Sequence, residues 1–230
     1  MVKEQKLLQQ FRIYIDNVLY ETYGVLSEQC IIEDTSYGIF IYIKKWLSPI
    51  EKTLYIQKEE EMIGDIRQRT VETVFIQMKD WLCKYGDIRI EKFIYDWNIE
   101  NETMCFLLFS EEETGMKDHL VLFQQQVVDE ILQHTNQYQK KPDYIEVLQP
   151  AHDINIVVQY GILLPLEQTL VNKGYKDLVI NRQMIMKQYV LQQQKKLESI
   201  IQREIQDIFI AWHYELNRCY IIFFHKKRAS

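Results

Sequence analysis

The sequence has little glycine and proline and no long hydrophobic run. Its 230 residues include only 7 Gly and 4 Pro, which predicts few flexible linkers and little disorder. The longest uncharged apolar stretch, residues 154–166, is shorter than the roughly 20 residues that a membrane-spanning helix needs. The N-terminus lacks the apolar core of a signal peptide. We therefore expect a globular protein of the cytoplasm that spans no membrane but could lie at its periphery.

Recognisable catalytic machinery is also lacking. The sequence has no GxSxG turn and no glycine-rich phosphate loop, which nucleophilic catalysis and phosphate binding commonly use. No CxxC pair is present, so zinc is not expected and the thiols should be buried and reduced. The net charge of −6 argues against a general nucleic-acid binder. These absences predict no enzyme, metal centre or cofactor, and they leave five histidines in structural or solvated positions: His119, His134, His152, His213 and His225.

An internal repeat is the strongest pattern that the sequence does contain. Pro49, Glu51, Thr53 and Leu54 recur as Pro165, Glu167, Thr169 and Leu170 at one offset, 165 − 49 = 116. The Arg-Gln pair at 67–68 recurs at 182–183, an offset of 115. An ordered series of matches with a slowly drifting offset predicts two copies of one module. The predicted domains are residues 1–110 and 119–230, joined by a charged linker at 111–118.

The elements of each copy predict an α+β fold. Each module reads helix, two strands, helix, two strands, so we expect a mostly antiparallel four-stranded sheet with two helices on one face. The two αββαββ modules are expected to be related by pseudo-two-fold symmetry. In the first long helix Gly86 is the predicted residue after the helix end. The predicted buried face has apolar spacing and consists of Ile63, Ile66, Thr70, Val74, Met78, Trp81, Leu82 and Tyr85.

The joint between the second strand and the long helix carries the most specific local motif. Ser48-Pro49-Ile50-Glu51 has the spacing of a capping box with proline at the first helical position. The second copy keeps Pro165 and Glu167 but has Leu164 in place of serine. Beside this structural interpretation stands a functional one, in which repeated polar residues line a cleft between the modules and bind a ligand or partner: Glu51, Thr53, Arg67, Glu167, Thr169 and Arg182.

The same segment carries a resemblance to a known family. Leu47–Leu54, LSPIEKTL, resembles the LTPAEKTL signature of the MpsC family, also called YbcI-like, whose members are small bacterial single modules. Tyr23-Gly24, Arg67, Arg69 and the turn at 96–98 extend the resemblance over residues 7–109. Residues 120–224 resemble the family more loosely, because they lack the Tyr-Gly pair and the Ser or Thr before proline. A tandem copy departs from the single-module pattern.

The resemblance implies a role beside a membrane. The family is described as part of a sodium-translocating, membrane-potential-generating system, and similar proteins are linked to membrane complexes that handle cations and inorganic carbon. We therefore expect a non-catalytic cytosolic accessory protein with a protein partner, and a membrane transport complex of this kind is a candidate partner. The alternative is a small-molecule-binding regulator that uses the cleft between the modules. An undetected enzyme is the third reading that remains open.

Overall fold

The structure, a computed structural model, describes residues 2–35, 37–109, 124–135, 140–175 and 177–226. It divides into two compact units, one of Met1–Phe93 with Trp97–Thr114 and one of Ile94–Asp96 with Gly115–Ser230. The predicted linker at 111–118 lies outside the described residues. Within the described ranges, no helix combines the length and hydrophobicity that crossing a bilayer requires.

The first unit follows the predicted order of elements with one addition, a separate short helix. Its elements are α1 (Val2–Tyr23), β1 (Gln29–Thr35), β2 (Gly38–Lys44), α2 (Pro49–Ile56), α3 (Glu60–Gly86), β3 (Lys92–Asn98) and β4 (Thr103–Phe109). The sheet order is β1-β2-β4-β3, and β2 pairs antiparallel with both β1 and β4. The continuous apolar run Ile39–Ile43 predicts a strand covered on both faces. This prediction is confirmed, because β2 is central in its sheet and all five residues are buried.

The second unit repeats this architecture. Its elements are α4 (Gln124–Thr135), β5 (Tyr144–Ala151), β6 (Ile154–Tyr160), α5 (Pro165–Asn172), α6 (Asp177–Gln192), α7 (Gln194–Ile201), β7 (Ile205–His213) and β8 (Arg218–His225). The sheet order is β5-β6-β8-β7. Buried residues of α4, α6 and α7 form one core cluster with alternate strand residues such as Val157, Ile210 and Ile221. The helices therefore pack on one face of this sheet, as predicted.

Backbone conformation repeats along with the sequence. Four non-helical positions with positive φ recur between the units at offsets of 116 or 115. They pair Lys45 with Gly161, Lys58 with Gly174, Asp87 with Gln202, and Glu102 with Asn217. Left-handed conformations are uncommon for residues other than glycine, so their recurrence is independent evidence that both units follow one chain path. The shared turn at Lys58 and Gly174 separates a short helix from a long one in each unit.

The predicted buried face of the long helix is confirmed at Ile63, Val74, Met78 and Leu82, but the structure departs from it elsewhere. Arg67 and Val71 are buried in α3, whereas Ile66 and Thr70 are half-buried. Tyr85, which was predicted to be buried, is 57% exposed. Periodicity assigns apolar residue types to the interior and therefore could not place an arginine there. The left-handed residue that ends the helix is Asp87 and not Gly86, since a short polar side chain tolerates this conformation.

Candidate functional site

The predicted capping box at the start of α2 is present. The Ser48 hydroxyl accepts a hydrogen bond from the Glu51 amide at 3.3 Å, and the Glu51 carboxylate accepts one from the Ser48 amide at 2.8 Å. The Ser48 hydroxyl also donates to the same carboxylate at 2.6 Å. Pro49 takes the first helical position, where its missing N–H costs nothing. This reciprocal bonding fixes the first turn of α2.

Arg67 of α3 holds the same carboxylate from the other side. Its Nε donates to Glu51 Oε1 at 2.5 Å and its Nη2 donates to Glu51 Oε2 at 2.7 Å. Nη2 also donates to the carbonyl of Trp46 at 3.0 Å. Both charged side chains are fully buried, with 0% exposure. A bidentate arginine–carboxylate pair of this kind is strong and specific in direction, so it fixes α2 on α3.

Two aromatic rings enclose the guanidinium. Its central carbon lies 3.8 Å from the ring centroid of Tyr23 and 3.8 Å from that of Trp46. Burial lowers the pKa of Arg67, and the Glu51 carboxylate opposes this shift. Because the ordinary pKa of arginine is above 12, the side chain stays charged. The cation–π contacts supply part of the stabilisation that water would otherwise give.

This cluster brings together two of the residues that the sequence singled out, but in an internal role. Glu51 and Arg67 bond to each other and present no surface to a ligand. Thr53 is exposed, and its hydroxyl donates to the carbonyl of Pro49 at 3.0 Å. Sequence reasoning missed Tyr23 and Trp46 as members of the cluster. A tyrosine at the end of a helix and a tryptophan two residues before the cap were the available signals.

The second unit keeps only part of this arrangement. The Glu167 carboxylate accepts a hydrogen bond from the Leu164 amide at 2.7 Å, which is the half of the capping box that does not need serine. Thr169 is exposed and donates to the Pro165 carbonyl at 2.9 Å. The side chain of Arg182 lies outside the described residues. A ligand or partner role for these three residues, and for the predicted cleft, stays a prediction.

Helix register indicates which residue replaces Arg67 in the second unit. Arg67 lies four residues after the buried Ile63, and Gln183 lies four residues after the buried Val179. The Gln183 amide donates to the Ile210 carbonyl at 3.0 Å and accepts from the Tyr214 hydroxyl at 3.0 Å. A neutral side chain with two hydrogen bonds therefore stands where the first unit has a buried cation.

Because the two caps differ, substitutions at Ser48 and Leu164 are expected to change stability in opposite directions. Ser48→Ala removes the acceptor for the Glu51 amide and should destabilise the first unit by about 1 kcal/mol. Leu164→Ser supplies the missing hydroxyl at an exposed position and should stabilise the second unit by about 0.5–1 kcal/mol. Urea unfolding of the two variants and the parent chain checks both values. Equal shifts for the two variants would contradict the assignment of the caps.

The described histidines and cysteines do not build a reactive centre. His152 is exposed, as predicted for a turn, and its Nδ1 lies 2.8 Å from an Asp153 oxygen that also accepts from Arg203 at 2.7 Å. Cys83 is exposed, contrary to the prediction of burial, whereas the other three thiols are buried. Burial raises the pKa of Cys30 to about 12, which makes it a poor nucleophile. Across the described ranges, no three His, Cys, Asp or Glu side chains are placed to hold a metal ion.

His225 is a buried histidine at the end of β8. Its Nε2 lies 2.7 Å from the side-chain oxygen of Asn155, and its Nδ1 lies 3.4 Å from the carbonyl of Glu204. Burial, together with the positive charge of Arg203, lowers the pKa of His225 to about 4, although the Glu204 carbonyl and Asp153 oppose the shift. The ring is therefore neutral at pH 7. Its surroundings resist protonation because a charged imidazolium would have to stay buried.

This depressed pKa predicts a stability loss in acid. Between pH 6.5 and 4 the unfolded histidine binds a proton that the folded one rejects, so the free energy of unfolding falls as pH falls. The loss is at most about 3 kcal/mol for this pKa difference. We expect the His225→Gln variant to lose stability less steeply than the parent chain over this range. Matching slopes in urea titrations of the variant and the parent chain would contradict the prediction.

Comparison with known proteins agrees with the repeated architecture. A family model described as "Na+-translocating membrane potential-generating system (MpsC)" matches residues 3–111 and again residues 123–227. No curated protein and no solved structure matches the chain. The two matched segments contain the two capping-box joints and both four-stranded sheets. The chain belongs to the MpsC family and contains two tandem copies of the family's module.

Proposed function

We propose that this protein is a non-catalytic cytosolic accessory protein that binds a membrane protein of a cation or inorganic-carbon transport system. The family description, which names a membrane-potential-generating system, supports the membrane connection. The observation that carries the proposal is the surface of α2. Exposed apolar side chains on a helix of fixed orientation are the feature through which a partner would bind.

Helix α2 inverts the usual distribution of residue types. Its one buried residue is the acidic Glu51, whereas Ile50 is 64% exposed and Ile56 is 81% exposed. An ordinary surface helix buries its apolar residues and exposes its charges. Here the Arg67 ion pair holds the helix in place through the carboxylate, which leaves its isoleucines directed to solvent.

The second unit repeats this exposure. In α5 no residue is buried, and Leu166, the counterpart of Ile50 at the offset of 116, is 70% exposed. The two modules differ widely in sequence, so a large apolar residue at the same exposed position in both indicates that this position has the same function in each. Binding to a protein partner accounts for this better than packing, since the side chains contribute little to either core.

The test uses the full chain as bait and identifies the proteins that bind it in detergent-solubilised membranes of its native host. We expect the parent chain to recover an integral membrane protein of a transport system. The double variant I50S/I56S should recover at least about tenfold less of that protein. Ile76→Ser, which changes an exposed isoleucine on α3, is the matched control and should recover the partner normally. Recovery of no membrane protein, or equal recovery by all three chains, would refute the proposal.

A further inference from the structure

The connection from α2 to α3 is exposed along its whole length and is here called the α2–α3 corner, defined as Ile56–Met62. All seven of its residues are exposed. Ile56 and Met62, at its two ends, are 81% and 50% exposed. Between them lie Lys58 and three consecutive carboxylates, Glu59–Glu61. The corner therefore carries an excess of negative charge between two exposed apolar side chains.

The carboxylates of the corner have no partner of their own within the described part of the chain, where none of the three forms an ion pair. Glu60 and Glu61 lie in the first turn of α3, where negative charge favours the helix dipole. That local effect accounts for acidic residues at this position. It gives no reason for two large apolar side chains to stand exposed beside them.

The corresponding segment of the second unit, at the offset of 116, is residues 172–178, which carry two lysines and one aspartate, Lys173, Lys176 and Asp177. Its described residues Asn172–Tyr175 are also exposed. The backbone turn is shared, since Lys58 and Gly174 both have positive φ. The acidic character is thus a property of the first unit alone, and the second corner provides a control with the same chain path.

We propose that the α2–α3 corner binds a lysine- and arginine-rich segment at the cytosolic end of a membrane-spanning helix in the partner. This rests on the proposed function and names the chemistry of the partner surface. Cytosolic loops of membrane proteins carry an excess of Lys and Arg beside apolar helix ends, which complements apolar residues that flank carboxylates. An anionic lipid surface would instead repel Glu59–Glu61, so a protein segment fits the corner better than the bilayer.

The experiment places the photo-cross-linker p-benzoylphenylalanine at position 56 of the full chain in native host cells and identifies the cross-linked peptide by mass spectrometry. We expect a peptide of an integral membrane protein with Lys or Arg beside apolar residues. The triple variant E59Q/E60Q/E61Q should reduce the yield about tenfold, and added salt should reduce the yield of the parent chain. The cross-linker at position 175 is the control and should not label this peptide.

Other outcomes separate this inference from the function on which it rests. A cross-link to a membrane-protein peptide without Lys or Arg, or one that the triple variant leaves unchanged, overturns the inference while the accessory role stands. A cross-link to lipid or to a second copy of this chain overturns it as well, as does the absence of any cross-link. Flotation with vesicles of phosphatidylethanolamine and phosphatidylglycerol, where we expect no binding, checks the lipid outcome directly.

Discussion

Replacing Arg67 by alanine is expected to destabilise the first unit by about 3–5 kcal/mol, because it leaves the buried Glu51 carboxylate without its counter-charge. The variant also removes the cation between the rings of Tyr23 and Trp46. Urea unfolding measures the loss, and hydrogen exchange of α2 and α3 assigns it to the first unit. We expect α2 to lose protection first, since the one residue that it buries is Glu51.

Two control variants separate the charge from the packing. Gln183→Ala removes the neutral counterpart in the second unit and should cost about 1–2 kcal/mol, the usual range for lost hydrogen bonds. The double variant E51Q/R67M removes both charges while Gln can still accept from the Ser48 amide. It should be more stable than R67A. A double variant as unstable as R67A would show that the loss comes from the missing hydrogen bonds and cation–π contacts of Arg67 and not from an unpaired charge.

Gly38→Ala is the second change with a large expected effect. Gly38 begins β2 with φ +137, and a Cβ added there would lie 2.2 Å from the backbone oxygen of Leu108 in β4. Because the obstacle is backbone, the central strands must move apart. The conformational strain costs about 1–3 kcal/mol, and the clash adds about 1–3 kcal/mol, as overpacking does in a core.

Gly24→Ala provides the matched control for this prediction. Gly24 also has a positive φ, +69, but an added Cβ would meet nothing within 4 Å. Only the strain of a left-handed conformation remains, which costs about 1–2 kcal/mol. Thermal or urea unfolding should therefore show a distinctly larger loss for the Gly38 variant. Equal losses would mean that the sheet absorbs the clash at no cost.

Both large effects arise in the part of the fold that presents the proposed binding surface. The buried pair holds α2 with its isoleucines outward, and β2 leads directly into the segment that carries Trp46 and Ser48. Loss of partner binding in R67A would thus follow from loss of orientation, whereas I50S/I56S should lose binding without losing stability. The comparison of stability and binding across these variants separates the scaffold from the contact surface.

Much of the local structure was predictable from the sequence. The apolar run at 103–109 is flanked in sequence by polar residues and predicts a strand, which is observed as β4 with the same bounds. The capping box was predictable from Ser48 and Glu51, which bond across three residues. The long helix of the second unit was predicted as one element but breaks at Gln193 into α6 and α7, since a single residue that leaves the helix gives no periodic signal.

The sequence by itself determined that this protein consists of two α+β modules and that a capping box at Ser48 begins α2. The repeat is visible in the order of residues, and apolar periodicity and capping residues act over a few neighbouring positions. Only the tertiary structure decided that Arg67 is buried and bound to Glu51, and that α2 consequently turns its isoleucines outward. The burial of a charge depends on partners from distant segments, here Tyr23, Trp46 and Glu51. The energy of such a group is set by those partners and not by its residue type.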